Sequence, residues 1–353
     1  MYRESTVGIL TFHRCINYGS YWQARCLVDG IRQLGYDAAL LDHRSASIDR
    51  AEWRCALNPT AGQTTIEDRR AYSEKMRRFF HAFDALPTSP AFAVDHPQEA
   101  DAYGLVIVGS DEVWNLRHPW YGGHPIFYGE GLKGDLASYA ASFGNHNASD
   151  GLDPHWRDRL RSFDAISVRD RNSHELVAEA LEQPPELVLD PCLQFPDVIE
   201  PITIDRPEPY AVVYGHSFPH WFQDEVRRWA AARNLTLLSV GYRNSWADDQ
   251  LIEAGPQEFA GLIAGATAVI TNFFHGCVFS LINHKPFACV PSDYRSNKVR
   301  DLLEMLGASE RLIVEGSADQ LPQALARPAG STSYDIIGDI RRTSGRYLHH
   351  VLG

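Results

Sequence analysis

Apolar residues in this chain come in short runs that alternate with amphipathic stretches. Residues 7–11 (VGILT) have the length of a buried strand. Residues 18–34 place Trp22, Cys26, Leu27, Ile31 and Leu34 at helical spacing, and Gly35 stops them. A second strand is expected over 37–41 and a charged amphipathic helix over 65–83. Further strands are expected over 103–108 (YGLVIV), 136–141, 165–168 and 186–189, with a helix over 171–181. The texture changes at residues 194–209, where four prolines interrupt the pattern as a linker would. A second series starts with the strand 210–214 (YAVVY). It continues with helices over 220–234, 256–266, 298–306 and 317–326, a short helix from 276, and strands over 235–240, 268–271, 287–290 and 311–314. Two successive βα series predict an α/β chain with two parallel-sheet domains facing a cleft. The expected bounds are 1–193 for the first domain, 194–209 for the linker and 210–330 for the second. A terminal helix within 331–353 is expected to pack back on the first domain through Ile336, Ile337, Ile340, Tyr347 and Val351.

Composition narrows the partners. The 33 basic and 45 acidic side chains leave a net charge of −12, which offers no long-range attraction to a phosphate polymer, so nucleic-acid binding is not expected. No window approaches the roughly 18 unbroken apolar residues of a membrane span, and the N-terminus lacks the apolar core of a secretory signal. The six cysteines form no C-x-x-C pair and read as buried thiols of a cytoplasmic protein. Residues 129–134 match G-x-G-x-x-G, but they precede a strand. The dinucleotide mechanism needs them to follow one into a helix. No histidine group has metal-ligand spacing, and no metal is expected.

In parallel sheets ligands sit beyond the carboxyl ends of the strands, so the residues there carry the candidate chemistry. Asn17, Tyr18 and Gly19 lie between the first strand and first helix, either as a ligand-binding turn or as a helix cap. Ser110, Asp111, Glu112 and Trp114 follow the strand 103–108. Carboxylates with an indole suit the hydroxyls and ring face of a sugar; the alternative is a capped helix start with Trp114 in the core. Arg169 directly follows a buried strand and could fork onto a carboxylate or phosphate, or pair with a neighbouring acid. Asn272, Phe273, Phe274, His275 and Gly276 join a strand to a helix mouth. There the helix N-terminus favours an anion, Gly276 admits it to the backbone and His275 can donate a proton. Lys298, with Arg295 and Arg300, adds positive charge shortly afterwards.

Taken together, residues 8–27, 106–115 (VIVGSDEVWN), 138–144 (SYAASFG), 166–173 (ISVRDRNS), 189–193 (LDPCL), 271–287 (TNFFHGCVFSLINHKPF) and 298–307 (KVRDLLEMLG) resemble the polysaccharide pyruvyl transferase family in order and spacing. The resemblance implies two Rossmann-like domains in the manner of glycosyltransferase-B enzymes. It also implies transfer of a pyruvyl group from phosphoenolpyruvate to two hydroxyls of a saccharide, with phosphoenolpyruvate as co-substrate and no cofactor. It implies His275 and Arg169 as site residues; the chemistry suits His275 as acid, Arg169 as an anion contact and, more weakly, Asp111 or Glu112 as base. Asn272, Gly276 and Lys298 then fall on the donor side, and Asn17, Tyr18, Gly19, Ser110, Glu112 and Trp114 on the acceptor side. The family's arginine two residues before the histidine is Phe273 here, which removes one donor contact. A lipid-linked acceptor, met peripherally at the inner membrane face, stays open. So do two alternatives: a nucleotide-sugar transferase of the same architecture and a non-catalytic carbohydrate-binding descendant.

Overall fold

The computed structural model describes residues 6–59, 64–206, 208–291 and 296–353. In chain order its first elements are β1 (Thr6–Leu10), α1 (Tyr18–Gln33), β2 (Asp37–Leu40), β3 (His43–Arg44), α2 (Ala46–Leu57), α3 (Ile66–Asp84), β4 (Phe92–Ala93), β5 (Leu105–Val108), β6 (Asp135–Ser138), α4 (Pro154–Leu160), β7 (Ser167–Val168), α5 (Arg171–Leu181), β8 (Glu186–Leu187) and α6 (Pro191–Gln194). The series continues with β9 (Tyr210–Tyr214), α7 (His220–Ala231), β10 (Thr236–Val240), β11 (Asp249–Leu251), α8 (Pro256–Gly265), β12 (Ala268–Thr271), α9 (Phe274–Ile282), β13 (Phe287–Cys289), α10 (Ser296–Met305), α11 (Leu321–Ala324) and α12 (Ser331–Leu352).

The chain divides into two compact units. One holds residues 1–52, 85–198 and 337–353, the other 53–84 and 199–336. In the first unit a parallel sheet runs β2-β1-β5-β6, with Ile9 opposite Leu40 and Ile107. Most of its strand positions are buried, as expected of a parallel sheet covered on both faces. α1 crosses from β1 to β2 and buries Trp22, Cys26, Leu27 and Ile31 of the expected stripe, while Leu34 falls on the C-cap and is 37% exposed. The last part of α12 is tied to this unit by polar bonds. The Tyr347 hydroxyl donates to the Ser138 carbonyl at 2.7 Å, and the Leu189 N–H donates to Ser344 Oγ at 2.9 Å.

In the second unit a parallel sheet runs β11-β10-β9-β12-β13, with Val213 opposite Ser239 and Ile270. Residues 53–84, expected in the first domain, belong to this unit. α3 docks on it through specific groups. The Lys75 ammonium donates to the Gly241 carbonyl at 3.0 Å, Arg243 Nε donates to Asp68 Oδ1 at 2.7 Å, and Arg78 Nη1 reaches Glu258 Oε1 at 2.6 Å. Burial pushes the Lys75 ammonium down to about 7.

Several elements depart from expectation for local reasons. The strand expected over 136–141 ends at Ser138, because Ala140 turns to φ 53. Residues 311–314 contribute a lone bridge between Leu312 and Cys289 in place of a strand. The helix expected over 317–326 is reduced to a 3₁₀ turn and the one-turn α11. Helix α2 and strand β11 were not anticipated. The three glycines at 129, 131 and 134 stand at φ 82, 76 and 122 and form a turn ahead of β6. Five of the six cysteines are buried. Among the described residues no helix is long and apolar enough to cross a membrane.

Candidate functional site

In the first unit the strand ends meet in a buried charge network. Arg169, directly after β7, is 4% exposed. Its Nη1 donates to Asp190 Oδ2 at 2.8 Å and its Nη2 to Asp111 Oδ1 at 3.2 Å. Asp111 also accepts the Ser20 hydroxyl at 2.7 Å and the Glu112 N–H at 2.9 Å, from a backbone held at φ 71. Asp190 caps α6 by accepting the Cys192 N–H. One buried guanidinium is thus shared by two carboxylates. Of the two expected roles of Arg169, anion contact or pairing with an acid, the pairing is present, with Asp111 and Asp190. Both carboxylate oxygens of Asp111 accept hydrogen bonds.

The expected acceptor residues separate. Asn17 is exposed and caps α1, its Oδ1 accepting the Gly19 and Ser20 N–H groups at 2.8 and 3.3 Å. Tyr18 and Gly19 are buried in the first turn behind it. Ser110 is fully buried, its hydroxyl donating to Gln23 Oε1 at 2.6 Å. Trp114 is 0% exposed among Tyr128, Phe143 and Phe163, with its indole N–H on the Phe127 carbonyl at 2.8 Å. It has no face to give a sugar, and the expected platform role is corrected to the core. Ser110 is corrected likewise. Glu112 stays half-buried and accepts the Asn115 amide at 2.8 Å. Gly144 is required beside that pair, because a Cβ there would overlap the Glu112 carboxylate at a backbone φ of 58.

Sequence reading missed the groups that line the same edge of the sheet. Glu52, on α2, is 7% exposed, and its Oε1 accepts the Ile16 N–H at 2.6 Å in the β1–α1 connection. Burial raises its carboxyl to about 7, against the lowering effect of the Ile16 N–H and the Cys15 thiol. The Cys15 thiol is itself pushed well up by burial and by Glu52. His118 accepts the Trp120 and Tyr121 N–H groups at Nδ1, and burial lowers it to about 4. The half-exposed Trp120 pairs with its ring at 5.5 Å. Farther along the edge, Asp42 takes hydrogen bonds from His13, Arg14 and Arg44. Burial alone would raise its carboxyl, and these bonds outweigh that and hold it well below the usual range. Periodicity carries no signal for any of these contacts.

In the second unit β12 delivers Asn272 to α9. Asn272 Nδ2 donates to the His216 carbonyl at 2.7 Å, and its Oδ1 is buried without a partner among the described residues. His275 lies in the first turn of α9 and is 8% exposed. Gly276 follows His275 in the same turn. Its N–H is used on the Phe273 carbonyl at 3.0 Å, and a Cβ there would overlap the Thr271 side chain. The glycine lets the helix mouth pack closely on Thr271. Phe273 packs edge-on against Tyr214, His216 and Tyr242 at 5.0, 5.4 and 5.3 Å. Lys298 is half-buried on the first turn of α10, which packs on α9, and Arg300 is exposed on the same helix. Arg295 lies outside the described residues.

Two parallel-sheet units with polar residues at the strand ends define a class: α/β, Rossmann-like and glycosyltransferase-B-like. Among solved structures the chain is similar to the UDP-GlcNAc 2-epimerase from Methanocaldococcus jannaschii, at TM-score 0.50 and 11% identity over 96% of this chain and 99% of that one. It is also similar to the E. coli heptosyltransferase WaaC with ADP, at TM-score 0.42 and 12% identity over 83% and 90%. No curated protein matches the chain significantly. The polysaccharide pyruvyl transferase family model matches residues 17–294, and the chain belongs to that family.

Proposed function

We propose that this protein transfers the pyruvyl unit of phosphoenolpyruvate to two hydroxyls of a saccharide, closing a ketal and releasing phosphate. The observation that carries this reading is family membership across residues 17–294, which spans both the β5 strand end and the His275 helix mouth. Protonation of the donor methylene makes C2 electron-poor. One hydroxyl oxygen bonds to C2 and gives up its proton, which balances the proton taken by the methylene; the second bonds to C2 as the C2–O bond to phosphate breaks, and its proton leaves to solvent. His275 supplies a proton to the departing phosphate. The cations are fewer than the resemblance implies, since Arg169 is internally balanced and Phe273 stands in place of an arginine. A helix N-terminus contributes only about 0.3–1 kcal/mol at an exposed site, so Lys298 carries most of the donor's charge. Asn272 orients the donor and Asn17 and Glu112 reach the acceptor. No cofactor or metal enters this scheme. The protein acts in the cytoplasm, and a lipid-linked acceptor would be met at the inner membrane face.

A nucleotide-linked donor is the second reading. It is favoured by the ring set of Phe273, His216 and Tyr242, which is aromatic where a cation is expected. Thermal-shift titration separates the two. Phosphoenolpyruvate should stabilise the protein, and phosphate should be released with p-nitrophenyl galactoside, mannoside or glucoside as acceptor. His275→Gln should abolish release; glutamine is chosen because His275 is buried and a cavity would confuse the result. Stabilisation by a nucleoside diphosphate, with no response to phosphoenolpyruvate, would replace the first reading with the second.

A further inference from the structure

Residues 53–84 carry six basic and four acidic side chains, in a chain whose net charge is −12. They supply the last part of α2 and all of α3, within the second unit. Helix α3 buries Asp68, Tyr72, Lys75, Met76 and Phe79, so its opposite side faces outward. That side carries Ile66, Arg69, Arg70, Ser73, Arg77 and Phe80, which recur at helical spacing. Ile66 is 70% exposed, more than any other large apolar side chain among the described residues. Trp53, on α2, is 38% exposed and sets its ring edge-on to Phe80, with centroids 5.5 Å apart. We propose that this face of α2 and α3 docks the protein on an anionic membrane surface, with the arginines on lipid phosphates and Trp53 and Ile66 at the acyl boundary.

The positive charge here is only partly used within the protein. Arg77 and Arg78 pair with Glu74, Arg78 also with Glu258, and the buried Asp68 pairs with Arg243. The side chains of Arg54, Arg69 and Arg70 are exposed and make no ion pair among the described residues. The exposed acids on α3 are Glu67, in its first turn, and Asp84, its last residue. The negative charge of the chain as a whole does not cancel the patch, because exposed charges farther than about 8 Å are largely screened at physiological salt. A bilayer therefore meets the local arginines, each worth about fivefold in binding to an anionic leaflet. The residue types suit that boundary: an indole sits at headgroup depth, and a guanidinium forks onto phosphate oxygens. No described helix is long and apolar enough to span a membrane, so α3 would lie along the surface. This goes beyond the pyruvyl transfer reading and does not depend on it. A chain held there meets a lipid-linked saccharide where that saccharide is anchored.

Co-sedimentation with vesicles tests the surface without any activity assay. The protein should pellet with vesicles of equal parts phosphatidylglycerol and phosphatidylcholine, and not with phosphatidylcholine alone. Raising the salt should release it. Arg69→Glu combined with Arg70→Glu should weaken binding about 25-fold or more, with the melting temperature unchanged. Trp53→Ser should weaken it about tenfold and keep the salt dependence, since it removes an apolar anchor and no charge. Arg227→Glu combined with Arg228→Glu, exposed on α7 of the same unit, makes the same change in net charge and should leave binding within about twofold of wild type. Wild type that ignores anionic vesicles overturns the proposal. So does an equal loss in the α7 variant, because the attraction is then general rather than local. If the α3 variant turns a dimer into a monomer in sedimentation equilibrium yet binds vesicles like wild type, the face belongs to a second copy of the chain and the membrane role is overturned.

Discussion

Replacing Arg169 by methionine removes the guanidinium but keeps most of the buried volume. Two carboxylates, Asp111 and Asp190, would then face each other without their shared partner. The side chains of Arg169 and Asp190 are 3% and 0% exposed, so water cannot take over. Breaking a buried pair from one side typically costs about 3–5 kcal/mol, because the charge left behind is unsolvated. For a unit of this size each kcal/mol lowers the midpoint by roughly 2–4 °C, so the transition of the first unit should fall by about 6–20 °C. Calorimetry on Arg169→Met measures this directly, and titration with phosphoenolpyruvate at a temperature where the variant is folded should find the donor affinity little changed. Adding Asp111→Asn should return part of the loss by removing one stranded charge. A variant that melts like wild type but no longer binds phosphoenolpyruvate would refute the pairing argument and return Arg169 to the donor.

Trp114→Ala should cost about 3–5 kcal/mol in denaturant unfolding, for the lost ring and the orphaned Phe127 carbonyl. A near-neutral result would show the indole is not core. Gly276→Ala should destabilise the second unit by about 1–3 kcal/mol through overlap with Thr271, and adding Thr271→Ala should recover part of it. The Glu52 carboxyl ionises near 4.5 when unfolded and near 7 when folded, so the native state holds the extra proton between those values. Its stabilising contribution is complete below pH 4.5 and is lost as pH rises through 7. Glu52→Gln should therefore match wild type near pH 4.5 and exceed it by on the order of 3 kcal/mol above pH 7, read as melting temperature against pH. Equal curves at all pH values would mean the carboxyl does not carry the raised affinity.

Alternating strand and helix signals were legible because they are local. A buried strand needs only a short apolar run, and α1 needs only Trp22, Cys26, Leu27 and Ile31 at helical spacing, so the two βα series and the strand ends could be read from the residues alone. Family order and the position of His275 at a helix mouth were legible for the same reason. What tertiary structure decided was which partner each chemical group meets. Arg169 is paired with Asp111 and Asp190, 58 and 21 positions away, and no spacing rule connects them. Trp114 could have faced solvent or core, and the choice fell to Tyr128, Phe143 and Phe163. Helix α3 was visible, but its unit was set by where Lys75, Asp68 and Arg78 find their partners. Glu52 looks ordinary in a charged helix. Its proton affinity comes from burial against Cys15 and Ile16, residues 36 or more positions earlier in the chain, and desolvation is a property of the folded surroundings that no local pattern encodes.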